Sequence, residues 1–155
     1  MSRAIRRVPA NWKHPKDSAG RFIPMGETPY AVAEEEWQKG ALNHDPAKHD
    51  GQSYKSIAGE RPSKDCYIEY DPKDAPWWQA YEETSNGTPV TPPFASKEEL
   101  IEHLMDYGMK HYKTQMSKEA AEKFIEMEWL PTGMILDGTM YNSQEAAQAL
   151  SDKKL

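Results

Sequence analysis

The chain has 155 residues, 37% hydrophobic and 28% charged, enough to bury a real core beneath a well-solvated exterior, and no apolar run is long enough to span a bilayer. Its net charge of −6 is uneven: residues 1–16 carry Arg3, Arg6, Arg7, Lys13 and Lys16 and no acid, a local +5 that leaves −11 on the remainder. The one cysteine, Cys66, excludes an internal disulfide and fits a reducing cytosol, and the first residues lack the apolar core of a signal peptide.

Residues 1–26 hold Pro9, Pro15 and Pro24 with Trp12 and Phe22 between them. That composition resists a helix and predicts an extended basic arm, packed on the domain or projecting from it. Within it, Arg21–Met25 reads as a short edge strand ended by Pro24. From Pro29 to Lys39, Tyr30, Ala33 and Trp37 share a helical stripe, and Gly40 is expected to end it. Residues 40–65 are poor in apolar side chains and predict a long surface loop with room for one helical turn. Cys66, Ile68 and Tyr70 then alternate with Tyr67 and Glu69, the pattern of a short half-buried strand.

Asp74 as a cap and Pro76 in a first turn predict a helix that carries Trp77 and Tyr81 on one face with Trp78 beside them. Asn86-Gly87 and Pro89, Pro92 and Pro93 predict a rigid loop. Ser96 and Glu99 form a capping-box pattern, Leu100, Ile101, Leu104 and Met105 a helical face, and Gly108 a stop. Ser117 starts another helix, to about Glu128, that buries Ala121, Phe124 and Ile125. Asp137-Gly138 predicts a type I′ hairpin, and Ser143 is expected to cap a last helix to about Leu150. The sum is an α+β fold: four to five short helices, a C-terminal β-hairpin and the basic arm on a single domain of residues 27–155.

Candidate chemistry is sparse. His44, His49 and Asp50 make a weak metal site, because the histidines stand five apart with Pro46 between them, which suits a solvated loop. His103, His111 and Asp106 would need Cys66 as nucleophile, and Cys66 reads better as a small buried hydrophobe. The glutamates at 82, 83, 98, 99 and 102 form no distinctive pair, and those in a first helical turn suit the helix dipole. No phosphate loop, dinucleotide fingerprint, nucleophile elbow or zinc-finger spacing occurs, so the chain reads as non-enzymatic and without a cofactor.

Two binding surfaces remain. Arg3, Arg6, Arg7, Trp12, Lys13 and Lys16 combine cations with an indole, a mix that grips an acidic protein surface or a polyanion, unless the arm docks on its own acidic body. Trp77, Trp78, Tyr81, Ser85 and Thr88 are the alternative, a stacking face and a polar loop for a nucleotide-like ligand, unless the aromatics are core.

Arg6 to Pro9, Trp12, His14 and Pro15, then Tyr81, Glu82, Ser85, Gly87 to Pro89, Pro92, Phe94 and Glu98 to Leu100, resemble a group of small proteins encoded by tailed bacteriophages and prophages. Those proteins pair an arginine-valine-proline-x-x-tryptophan motif with a serine-x-glycine-threonine-proline segment and an acidic-leucine helix, and end in a glycine-methionine-rich piece like Met134 to Tyr141. The resemblance leaves residues 40–65 unmatched. It implies a phage origin and a host bacterial cytoplasm, and it brings no reaction with it. The function expected is therefore an accessory protein that binds a host or phage protein and blunts a host defence or metabolic function. A nucleotide-like signal sequestered near Trp78 is the second reading. A nucleic-acid binder working through the arm is the third, and the acidic body disfavours it.

Overall fold

The computed structural model describes residues 2–68, 70–83, 87–110 and 115–153. In chain order its elements are β1 (Arg3–Val8), β2 (Gly26–Pro29), α1 (Tyr30–Leu42), α2 (Tyr54–Ala58), β3 (Tyr67–Ile68), β4 (Trp77–Glu82), β5 (Thr88–Pro89), α3 (Lys97–Tyr107), α4 (Lys118–Met127), β6 (Trp129–Leu130), β7 (Gly133–Leu136), β8 (Thr139–Asn142) and α5 (Ser143–Asp152). The fold is α+β. Among the described residues no helix is long and apolar enough to cross a membrane. The chain divides into two compact units, Met1–Pro24 with Asp71–Leu155, and Met25–Tyr70.

The larger unit is built on a four-stranded antiparallel sheet in the order β5-β4-β1-β6. Its interior strands are β1 and β4, and neither was expected as a strand. Residues opposite one another in an antiparallel pair share a face. Arg3, Ile5 and Arg7 therefore stand with Glu82, Ala80 and Trp78, while Ala4, Arg6 and Val8 stand with Tyr81, Gln79 and Trp77. The first face meets the helices, where Ile5 and Ala80 join Leu100 and Leu104 of α3 and Ala120, Ala121, Phe124 and Ile125 of α4 in one core. The second face meets the loop at residues 9–24.

Local signals set the helices. Ser96 accepts from the Glu99 amide and the Glu99 carboxylate accepts from the Ser96 amide, so both halves of the capping box form. Leu100 and Leu104 are buried, Ile101 packs partly against the core, and Met105 remains exposed. Ser117 caps α4 as expected. The hairpin of β7 and β8 turns on Asp137 and Gly138, at φ of 50° and 80°, the left-handed geometry a type I′ turn requires. The last helix starts one residue early, however. Asn142 is its cap, with Glu145 completing a capping box, and Ser143 is buried and donates to the Pro131 carbonyl.

The basic segment is not an arm. Its first part is β1, and its remainder closes on itself through a bridge between Lys16 and Phe22. The Asp17 carboxylate accepts from the amides of Ala19 and Arg21 to hold the intervening turn. No strand ends at Pro24.

The smaller unit pairs β2 with β3 in parallel. Helix α1 runs on through Gly40 to Leu42, and the Tyr54 side chain lies where a side chain at Gly40 would reach. A glycine there serves close approach rather than termination. Trp37 meets Tyr54 edge-on at 5.3 Å, and Glu34 accepts from Arg61 and Gln38. The expected long loop carries a 3-10 turn at Pro46–Lys48 and the short α2, capped by Ser53. Cys66 closes a second 3-10 turn and is exposed, so it is neither a strand residue nor a buried hydrophobe.

Candidate functional site

Six of the residues singled out as a basic grip are now divided by the sheet. Arg3, 1% exposed, lies 3.8 Å from the Glu82 carboxylate on the helix-facing side. Arg6, 5% exposed, pairs with Glu83 at 2.9 Å and lies over the Tyr81 ring at 4.3 Å on the other side. These two are interior ion pairs and offer no grip, which corrects their assignment as partner-binding residues. Arg7 is exposed and stacks on Trp78 at 3.9 Å, where Lys97 also approaches at 4.6 Å. Trp12, Lys13 and Lys16 face a groove.

That groove is open, holds about 760 Å³, and lies wholly within the larger unit. One bank is the loop after β1, with Trp12, Lys13, His14, Pro15, Lys16 and Phe22. The other is the proline-bounded segment that starts at the end of β5, with Pro89, Val90, Thr91, Pro92 and Pro93, joined by Lys110. Gln79 of β4 completes the lining. Four prolines fix φ along the two banks, so little entropy is lost in shaping them.

Hydrogen bonds tie the second bank to the sheet. The Val90 amide donates to the Ala80 carbonyl at 2.9 Å, and the Lys110 amide donates to the Val90 carbonyl at 3.0 Å. The Ala80 amide donates to the Thr91 hydroxyl, whose own proton goes to the Pro92 carbonyl. The Gln79 amide nitrogen donates to the Thr91 carbonyl at 2.8 Å. The groove's inner polar groups are thus spent within the fold.

What it presents outward is apolar and cationic. Lys16 and Lys110 approach the Phe22 ring at 5.1 and 5.7 Å. Among the described residues no acidic side chain forms an ion pair with Lys13, Lys16 or Lys110. An exposed pair would contribute little in any case, but three unanswered ammonium groups beside an aromatic groove favour an anionic ligand.

His14 is the groove's titratable anchor. Its Nε2 lies 2.6 Å from the Ile23 carbonyl, which only accepts, so that nitrogen carries hydrogen. Its Nδ1 lies 2.9 Å from the Tyr81 hydroxyl, which also receives the Trp12 indole N–H at 3.2 Å. Burial holds the imidazole pKa below its ordinary 6.5; the bond to Ile23 opposes that shift and the Arg6 charge adds to it. Half-buried His103, in ring contact with Phe94 and Tyr107, is lowered by burial too, against the pull of Asp106.

A lowered folded pKa means that the unfolded chain binds more protons, so stability is present above the unfolded pKa and lost as pH falls through it. The urea midpoint of the protein is therefore expected to fall between about pH 7 and 5.5, above the range where carboxylates titrate. His14→Gln should blunt that fall. A midpoint that rises over this interval would contradict the burial of both imidazoles.

The nucleotide-like site does not assemble. Trp77 and Tyr81 share one face of β4 and Trp78 takes the other, because the segment has a strand's period of two and not a helix's. Tyr81 is 1% exposed, Thr88 lies on β5 opposite Glu82, and Ser85 falls outside the described residues. His111 falls outside them as well. Glu82 and Glu83 serve separate arginines on opposite faces. In the smaller unit His44 and His49 stack at 5.3 Å, and His44 Nε2 is 2.8 Å from the Gln52 carbonyl. Among the described residues no three His, Cys, Asp or Glu side chains converge as a metal would need.

Phe22, Gln79 and Lys110 were not singled out from the sequence as site residues. Lys110 carries no local signature beyond a position just after the Gly108 stop, and only the bond to Val90 brings it to the groove. No protein-family model, no curated protein and no solved structure matches the chain.

Proposed function

We propose that this chain is a non-enzymatic accessory protein of phage origin that binds a host or phage protein, taking an acidic segment of that partner into the groove and so blunting a host defence or metabolic function. The observation that carries the reading is the convergence of Lys13, Lys16 and Lys110 on a proline- and aromatic-walled groove with no acid paired to them among the described residues. Leucine or aromatic side chains of the partner would pack on Trp12, Phe22 and the prolines while its carboxylates meet the ammonium groups. A nucleotide-like signal is the second reading, with the groove in place of the expected face of Trp77, Trp78 and Tyr81. Base recognition needs directed polar partners, however, and Gln79 and Thr91 have theirs committed to the fold.

The test is competition. A host protein captured from bacterial lysate should be displaced by a glutamate-rich peptide that carries leucines. The double change Lys16→Glu and Lys110→Glu should weaken peptide binding by at least tenfold, about 1.4 kcal/mol, and wild-type binding should weaken with salt. Affinity retained by the double variant would remove the groove from the account. A nucleotide at a hundredfold its dissociation constant would raise stability by about 2.7 kcal/mol, and such a shift in place of peptide binding would favour the second reading.

A further inference from the structure

We infer that the groove binds its acidic ligand together with one proton, which His14 takes up. The inference rests on the groove as the binding site and adds what that site recognises, an anion that stabilises an imidazolium in its wall.

The argument is a count of hydrogens. The Gln79 side chain is oriented by its donation to the Thr91 carbonyl, which turns its Oε1 toward the Tyr81 hydroxyl at 3.2 Å. With His14 neutral and Nε2 protonated toward Ile23, the single Tyr81 hydroxyl proton faces two acceptors, His14 Nδ1 and Gln79 Oε1. With His14 doubly protonated, Nδ1–H donates to the Tyr81 oxygen and the Tyr81 proton goes to Gln79. Trp12 donates to the same oxygen in either state. The relay from Ile23 through His14 and Tyr81 to Gln79 and Thr91 then has a donor and an acceptor at every link.

Burial, with the Arg6 charge adding to it, keeps that second proton off, and hydrogen bonding does not. The rings about the imidazole are those of Trp12 and Phe22 from its own loop and Tyr81 from β4. The charged groups on this side are Arg6 of β1, whose partner is Glu83, Asp17 and Arg21 of the loop, which pair with each other, and the groove's Lys13, Lys16 and Lys110. The two acids among them, Glu83 and Asp17, are already bound to guanidinium groups at 2.9 and 3.0 Å. A carboxylate-bearing ligand supplies the missing counter-charge, and by linkage a ligand that favours protonation binds more tightly to the protonated form.

Calorimetry with the leucine-bearing glutamate-rich peptide tests this, run near pH 6.5 in two buffers of different ionisation enthalpy. Uptake approaching one proton is expected, with affinity rising toward tenfold per unit fall in pH over the interval where His14 titrates. His14→Gln should remove the uptake and flatten the pH profile. Should that variant fail to fold, the His14 ring resonances of the wild type provide the readout, with a midpoint that moves upward when peptide saturates the groove. Binding with no uptake and an unmoved midpoint overturns the inference and leaves the groove as the partner site. No binding at any pH overturns both.

Discussion

Arg3→Ala is expected to cost the larger unit about 3–5 kcal/mol, a large part of the 5–15 kcal/mol that holds a typical domain together. Arg3 is 1% exposed and its partner Glu82 is 3% exposed, each on an interior strand of the same sheet. Removing the guanidinium takes an ion-pair partner from a carboxylate that is 3% exposed, and breaking a buried pair costs far more than the pair itself contributes. At 3.8 Å the pair is loosely made, so its own net stabilisation is small. The double replacement Arg3→Met with Glu82→Leu should therefore recover most of the loss. Urea unfolding of the two single variants and the double variant measures the difference. Arg3→Ala within about 1 kcal/mol of the wild type would mean that Glu82 finds water and is not an interior charge.

Phe124→Ala should be comparably damaging, about 3–5 kcal/mol, and should lower the melting temperature by roughly 6–20 °C. Phe124 is fully buried on the inward face of α4, in the cluster that also contains Leu100, Leu104 and Val90. Val90 links this core to function, because its amide and carbonyl hold the second bank to Ala80 and Lys110. The cavity left by the ring should loosen that bank, so peptide affinity should fall in Phe124→Ala even at temperatures where the fold persists. Phe124→Leu should retain most of both properties. Unchanged affinity in a destabilised Phe124→Ala protein would separate the groove from the core.

The helices were legible because their signals are local. Ser96 and Glu99 lie within one turn, as do Ser117 and the Ala120 amide, and Asp137-Gly138 specifies its turn alone. The interior strands were not. Trp77–Glu82 follows Asp74 and Pro76, which imitate a helix start, and only pairing with β1 on one side and β5 on the other makes it extended. The cations behind the charge asymmetry divide in the fold. Lys13 and Lys16 line a groove, but Arg6 meets an acid 77 residues away, and nothing near Arg6 in the chain announces Glu83. A deletion of residues 1–16 would consequently remove a structural strand along with Lys13 and Lys16, and it would report on folding before it reported on binding.

The placement of β1 inside the sheet also governs when the protein can fold during synthesis. Arg3–Val8 leaves the ribosome before either of its partners, yet it needs Trp77–Glu82 on one flank and Trp129–Leu130 on the other. Until those segments emerge, Ile5 and Val8 have no cover, and the closing loop spans most of the chain. Nascent chains of this protein should therefore be clients for chaperones, and slow to mature, through the same strand that later anchors the groove.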